Sequence, residues 1–296
     1  MKKTLYGLKQ SLSNLKNIEK IFSKEQTLHS LIERNLTSEE MLCSSDNDLV
    51  VSLTTYSDRI FDVHLVIESI GRQTVKPSRI ILWLDENEFT IENLPPALRN
   101  MLNRGLEIYF CENIRSYKKI IPLLNMSLEH EIITIDDDVL YPYRFIEFIC
   151  IEKKSNKNTV LCFRAHRIKL SDNGNVLPYL DWEIDTSDIS PSFNIFPTGN
   201  YGVYYPRSAF SDLVLDKELF LKLAPTADDV WLKFTSMANG LKAKKINIEN
   251  IENMNFIELG LNQTMSLNSL NVEGNANDKQ ITQVLSNLET VKQKLN

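Results

Sequence analysis

Glycine is scarce, at nine residues in 296, and cysteine scarcer, at four. The cysteines, Cys43, Cys111, Cys150 and Cys162, form no C-x-x-C pair, which removes the common zinc and redox spacings. Three of them lie in or beside apolar runs and read as buried thiols of a reducing compartment. Histidine is limited to His29, His64, His130 and His166, so nothing after residue 166 can offer an imidazole to a metal. No apolar run approaches the ~20 residues of a membrane span. The initial Met-Lys-Lys is not followed by the continuous apolar stretch of a signal peptide. Positive charge is not in excess: the net charge is −6, which argues against nucleic acid as a main partner. The expectation is a cytoplasmic globular protein with one large α/β domain or two smaller ones.

What is present centres on Ile132-Ile133-Thr134-Ile135-Asp136-Asp137-Asp138-Val139-Leu140-Tyr141-Pro142. A short, wholly apolar run reads as a strand buried on both faces, as in a parallel sheet. Open α/β sheets bind ligands at the carboxyl ends of their strands, where the three acids fall. Like charges held this close repel, and a divalent cation is the usual way to stabilise them. An Asp-x-Asp pair, Asp136 and Asp138, suits Mg²⁺ or Mn²⁺, ions that keep several waters and bind substrate phosphates as well. The competing reading is an acidic turn after a core strand.

The rest of the chain divides into three parts. Residues 1–46 form a helical extension. Leu5, Leu8, Leu12 and Leu15 share one helical face, and residues 1–24 carry six lysines against one glutamate, a net of +5. Such a helix lies on an anionic membrane surface, packs on the main domain, or pairs with a second copy to make a homodimer. Residues 47–262 alternate strands with helices and form the main domain, with strands at 49–54, 79–84, 106–110, 132–135 and 160–164. Ser57 or Asp58 is expected to cap a helix carrying Ile60 through Ile70. Residues 263–296 are a linker and an amphipathic helix, with Ile281, Val284, Leu288, Val291 and Leu295 on one seam. That seam is expected to pack against the amino-terminal helix.

Several segments together resemble the GT-A fold glycosyltransferases, in particular the large family-two-like group of bacteria. They are Val51–Tyr56, Glu68–Pro77, Ile80–Leu84, Arg115–Lys119, the triple Asp, Phe196-Pro197-Thr198-Gly199 and Ala227-Asp228-Asp229-Val230-Trp231. The resemblance spans about residues 49 to 240 and leaves out both helical ends. It implies a GT-A α/β fold, with a mainly parallel twisted sheet flanked by helices. It also implies transfer of a sugar from a nucleotide-diphospho-sugar, a UDP-sugar first among them, to a hydroxyl of a glycan or lipid-linked acceptor. The setting would be bacterial surface polysaccharide synthesis.

Carried over residue by residue, the resemblance assigns Thr54, Thr55, Tyr56 and Arg59 to one wall of the donor site and Asp85 to another. Lys118 and Lys119 would meet the diphosphate. Asp138 would ligate the cation, Asp136 would contact ribose or metal, and Asp137 would contact donor or turn back into the loop. Asp229 stands where inverting relatives place their base, and Asp228 stands beside it. For Asp228 the alternative is helix capping. Gly199, Asn200, Trp231 and His166 fall near donor sugar and acceptor, although Trp231 fits core filling equally well. The absence of a late histidine ligand departs from some GT-A enzymes and favours inversion over retention. Two other classes remain open. A haloacid-dehalogenase-like phosphohydrolase also uses Asp-x-Asp after a buried strand, but its motif opens the domain, whereas three βα units precede it here. A non-catalytic glycan- or partner-binding protein on the same fold is the other.

Overall fold

The apolar runs beyond residue 48 become strands because each can bury both faces, and seven of the strands join in one sheet. The structure is a computed structural model. It describes residues 2–127, 130–249, 251–252, 254–260 and 276–295, with side chains from residue 18 onward, those of 289 and 290 excepted. The expected boundary at 262/263 and the Leu5–Leu15 face lie outside the described residues or side chains.

A long helix, α1 (Lys2–Thr37), precedes β1 (Leu49–Thr54), α2 (Val63–Gly71), β2 (Arg79–Asp85), α3 (Pro96–Leu102) and β3 (Leu106–Cys111). Next come α4 (Ile121–Met126), β4 (Glu131–Thr134), β5 (Val139–Leu140), α5 (Phe145–Ser155), β6 (Thr159–Cys162) and β7 (Ala165–Arg167). The remainder is β8 (Ile195–Pro197), β9 (Val203–Tyr205), α6 (Lys217–Leu223), α7 (Asp228–Ala238), β10 (Lys242–Lys245), β11 (Ile257–Glu258), α8 (Ala276–Asn287) and α9 (Glu289–Leu295). The main sheet has the order β10-β6-β9-β4-β1-β2-β3. It is parallel except for β9, which runs antiparallel between β4 and β6. The mixed α/β class with a mainly parallel sheet flanked by helices is therefore as expected.

Alternate residues of the strands feed two cores. Val50, Ile81, Ile132 and Val203 belong to one, with α7, α8 and α9 packed over it. Val51, Ile80, Ile133 and Tyr204 belong to the other, with α2, α5 and Leu31 of α1. The two terminal helical segments thus serve opposite faces of the sheet. This overturns the expected packing of the carboxyl-terminal seam on α1. The seam bends at Leu288, between α8 and α9, and Ile281, Val284, Val291 and Leu295 wrap the α7 side. There they meet Val230, Trp231, Phe234 and Met237 of α7, all buried in the same core.

The carboxyl-terminal half of α1 is tied down by charge. Glu68 of α2, fully buried, accepts from Arg104 through both oxygens, one of these bonds measuring 3.0 Å. Arg34 lies 3.2 Å away and Asn35 donates at 3.3 Å. Removing one partner of such a buried pair costs about 3–5 kcal/mol. One local expectation fails. The single helix after Ser57 is a short 3-10 turn, Ser57–Phe61, followed by α2. Ser57 takes φ +50° and its N–H donates to Glu88 Oε1 at 2.6 Å, so neither Ser57 nor Asp58 caps a helix by its side chain.

Candidate active site

From β1 the chain proceeds to β2 and β3 on one side, then returns to place β4 on the other side of β1. A crevice opens at the carboxyl edge where strand order reverses in this way. Thr54-Thr55-Tyr56 leave β1 at that edge, and Asp136-Asp137-Asp138 leave β4 beside them. Because β9 is antiparallel to β4, its amino end at Val203 meets Thr134, and this brings the loop 199–202 to the same edge. The start of α7, Asp228-Asp229, completes the ring.

The three adjacent aspartates have three different fates. Asp137 is buried, accepting from Thr55 Oγ1 at 2.6 Å and Arg59 Nη1 at 2.7 Å. Burial raises its pKa, with Arg59 and the Thr55 hydroxyl opposing the shift. It turns back to join the β1 and β4 loops and does not face a donor. Asp136 and Asp138 keep their carboxylates partly open, each 27% exposed. Asp138 lies 3.2 Å from Arg59 and Asp136 lies 3.3 Å from Lys119. Loss of water around Asp136 pushes its pKa up to about 6, against the pull of Lys119.

Lys119 is the hub. It ends a 3-10 turn, Arg115–Lys119, and its Nζ also sits 3.0 Å from Asp228 Oδ2. Burial works against its charge, but Asp228 and Asp136 outweigh burial and hold it firmly protonated. Asp229 is raised to about 7, first by burial and then by Asp228, with Lys119 opposing. A carboxylate poised near neutrality has the pKa a general base needs. Gly199, at φ +74°, lies over this cluster: a Cβ there would be 3.8 Å from the Asp229 Cβ and 3.9 Å from Lys119 Nζ. Gly202, at φ +88°, cannot carry a side chain, since its Cβ would fall 2.6 Å from Phe145 Cζ.

Other expected residues fall in and out of the site. Tyr56 is 45% exposed, with Arg59 stacked 5.0 Å from its ring centroid, and is free to meet a base. Thr54 Oγ1 donates to Trp83 O at 2.8 Å and Thr55 to Asp137, so both hydroxyls tie strands together. Asp85 is buried at the end of β2, with Oδ1 accepting from Asn87 N–H at 2.9 Å. Asn200 is half-buried in the loop beside Gly199. Lys118 is buried and lies on the Cys111 side. Trp231 has no exposed surface, and its indole N–H donates to Val214 O at 3.1 Å, so it fills core and meets no acceptor. His166 is buried, accepts from Asp185 N–H at 2.9 Å, and is driven down to about 4 by burial and Arg164. It is a neutral structural imidazole.

Two further residues support the site. The Tyr141 hydroxyl accepts from the Asp136 N–H at 3.0 Å and fixes the turn after β4. Gln280 of α8 reaches the turn before α7: its Oε1 accepts from Thr226 and Ala227 N–H at 2.9 and 3.2 Å. Its Nε2 donates to Thr226 Oγ1 at 3.0 Å. No sequence signal marks Gln280, because its partners are 53 and 54 residues away.

No family model matches the sequence, and no curated protein matches it. Among solved structures it is similar to S. aureus TarS 1-349 in complex with UDP, at TM-score 0.45 and 12% identity, over 68% of this chain and 59% of that one. The same protein in complex with UDP-GlcNAc gives 0.45 and 13%, over 68% and 57%. CMP:2-keto-3-deoxy-manno-octonic acid synthetase complexed with CTP gives 0.37 and 10%, over 67% and 87%. The chain thus spans less than two thirds of the length of these TarS structures.

Among the described residues, no three His, Cys, Asp or Glu side chains converge as a complete metal site. Asp136 and Asp138 still fit a cation that takes its other ligands from substrate and water. Arg59 pairs with Asp137 and Asp138, and Lys119 pairs with Asp136 and Asp228. A diphosphate brought against carboxylates held this close is repelled unless a cation comes with it.

Proposed function

We propose that the chain is a metal-dependent, inverting glycosyltransferase of the GT-A type. It would move a sugar from a nucleotide-diphospho-sugar, a UDP-sugar first, to a hydroxyl of a glycan or lipid-linked acceptor in bacterial surface polysaccharide synthesis. One observation carries the reading: Lys119 joins Asp136, at the end of β4, to Asp228, at the start of α7, with Asp229 beside it. This sets a diphosphate-compatible end and a basic end within one side-chain span of each other.

In this mechanism Tyr56 and Arg59 would receive the nucleoside, and Asp138 with Asp136 would hold Mn²⁺ or Mg²⁺. The cation, when bound, stabilises negative charge developing on the departing diphosphate. Lys119 adds a fixed positive charge beneath the same group. Asp229 Oδ takes the proton from the acceptor hydroxyl as that oxygen attacks the anomeric carbon from the face opposite the diphosphate. Gly199 leaves room above Asp229 for the sugar. The chain order of this machinery, with the acidic strand after three βα units, favours it over a dehalogenase-like hydrolase.

The test is release of UDP from UDP-sugars in the presence of Mn²⁺, by the wild type and by Asp138→Asn. The reading expects metal-dependent release that the substitution removes. Release by Asp138→Asn at the wild-type rate would overturn it.

A further inference from the structure

The amino-terminal helix leaves an exposed apolar surface ahead of the point where Lys24 ties it to the body. Residues 18–23 of α1 are all exposed, so the helix projects from the body before Lys24 anchors it by donating to Glu258 O and Leu259 O, at 2.6 and 3.1 Å. On this projecting part Ile18, Ile21 and Phe22 are 61%, 63% and 64% exposed. Residues 18, 21, 22, 32 and 36 fall within one ~100° arc of a helix with 3.6 residues per turn, although Ile32 already borders a groove with Asp62 and Leu65 of the body. The face that meets the body is a different one, carrying Lys24, Leu31 and Asn35. Large apolar side chains gathered on a free helix face mark an interaction surface.

Charge selects the partner. Residues 1–24 hold Lys2, Lys3, Lys9, Lys16, Lys20 and Lys24 against a single acid, Glu19. The first 24 residues carry +5 while the chain carries −6, so the remainder carries −11. An apolar stripe on a lysine-rich helix of low overall hydrophobicity is the pattern of a helix lying in the plane of a lipid interface. No helix among the described residues is long and apolar enough to cross a membrane. A paired coil with a second copy fits less well, since two such basic helices side by side would repel.

We infer that α1 docks this protein on an anionic lipid surface, with Ile18, Ile21 and Phe22 inserted at the headgroup level and the positive charge of residues 1–24 drawing the helix to lipid phosphates. The inference is independent of the chemistry assigned to the crevice.

The test is flotation of the full chain with vesicles of equimolar phosphatidylglycerol and phosphatidylcholine, set against phosphatidylcholine alone. The protein should float with the anionic vesicles only, and less as salt rises. Lys9→Gln with Lys16→Gln should lower partitioning roughly thirtyfold, at about one kcal/mol per lysine. Ile18→Asp with Phe22→Asp, both on exposed positions, should abolish it without changing the melting temperature. Failure to float with anionic vesicles, or flotation indifferent to Ile18 and Phe22, would overturn the inference. So would a dimer in solution that these two substitutions convert to a monomer, since a second copy would then cover the stripe.

Discussion

Lys119 Nζ stands 3.0 Å from Asp228 Oδ2, and the same nitrogen reaches Asp136 at 3.3 Å. One buried cation therefore couples a strand end to a helix start that lie far apart in the chain. Lys119→Met keeps the side chain's length but strands two carboxylates. The expected loss of unfolding free energy is on the order of 3 kcal/mol, as for other broken buried pairs, measured by urea denaturation. An unchanged midpoint would show that the carboxylates do not depend on Lys119.

Asp229 gives the pH dependence. Burial and Asp228 raise its pKa to about 7, so below that pH it is protonated and cannot accept a proton. Turnover should rise with pH through about 7 and level off above it. Asp229→Asn should cost at least ~10²-fold in turnover while leaving donor affinity nearly unchanged, as read by calorimetry and a coupled UDP assay. Retained transfer would remove Asp229 as the base.

Gln280 acts at one remove. Its carboxamide satisfies the Thr226 and Ala227 N–H groups just ahead of Asp228. Gln280→Leu leaves these donors unpaired, at a cost of about 1–3 kcal/mol, and loosens the start of α7. The expected signature is a fall in kcat larger than any change in the KM for donor, with Gln280→Glu recovering part of it. Equal loss in both parameters would point to a general structural defect.

Lys233 offers a control outside the chemistry. It is buried in α7, and burial lowers its pKa to about 7. An unfolded lysine titrates near 10.4. Between these values the unfolded chain holds a proton that the folded chain does not, so stability attributable to this group rises with pH by about 1.4 kcal/mol per unit. Lys233→Met should therefore be more stable than wild type at pH 7, and the difference should vanish above pH 10. Denaturant midpoints for both proteins across that range provide the check.

The first four strands of the main sheet were legible in the sequence because local apolar runs determine them. The three-residue strand β9 was not, since Val203–Tyr205 becomes a strand only by pairing with β4 and β6. At the site, residue types pointed to Asp136, Asp138, Lys119 and Asp229, which the structure gathers at one edge. What separates Asp137 from its neighbours is a tertiary pairing with Thr55 and Arg59 that three identical letters cannot encode. Trp231 misled for a related reason. Nearly all of α7 is buried, so periodicity could not say which side of it faces the crevice.

The most direct measurement is a thermal-shift panel of nucleoside mono- and diphosphates, with and without Mn²⁺. Binding to the folded state alone raises the melting temperature by mass action. The account predicts that a nucleoside diphosphate, UDP first, stabilises the wild type only when Mn²⁺ is present, and that Asp138→Asn loses the effect. No metal-dependent stabilisation by any nucleoside diphosphate would contradict it.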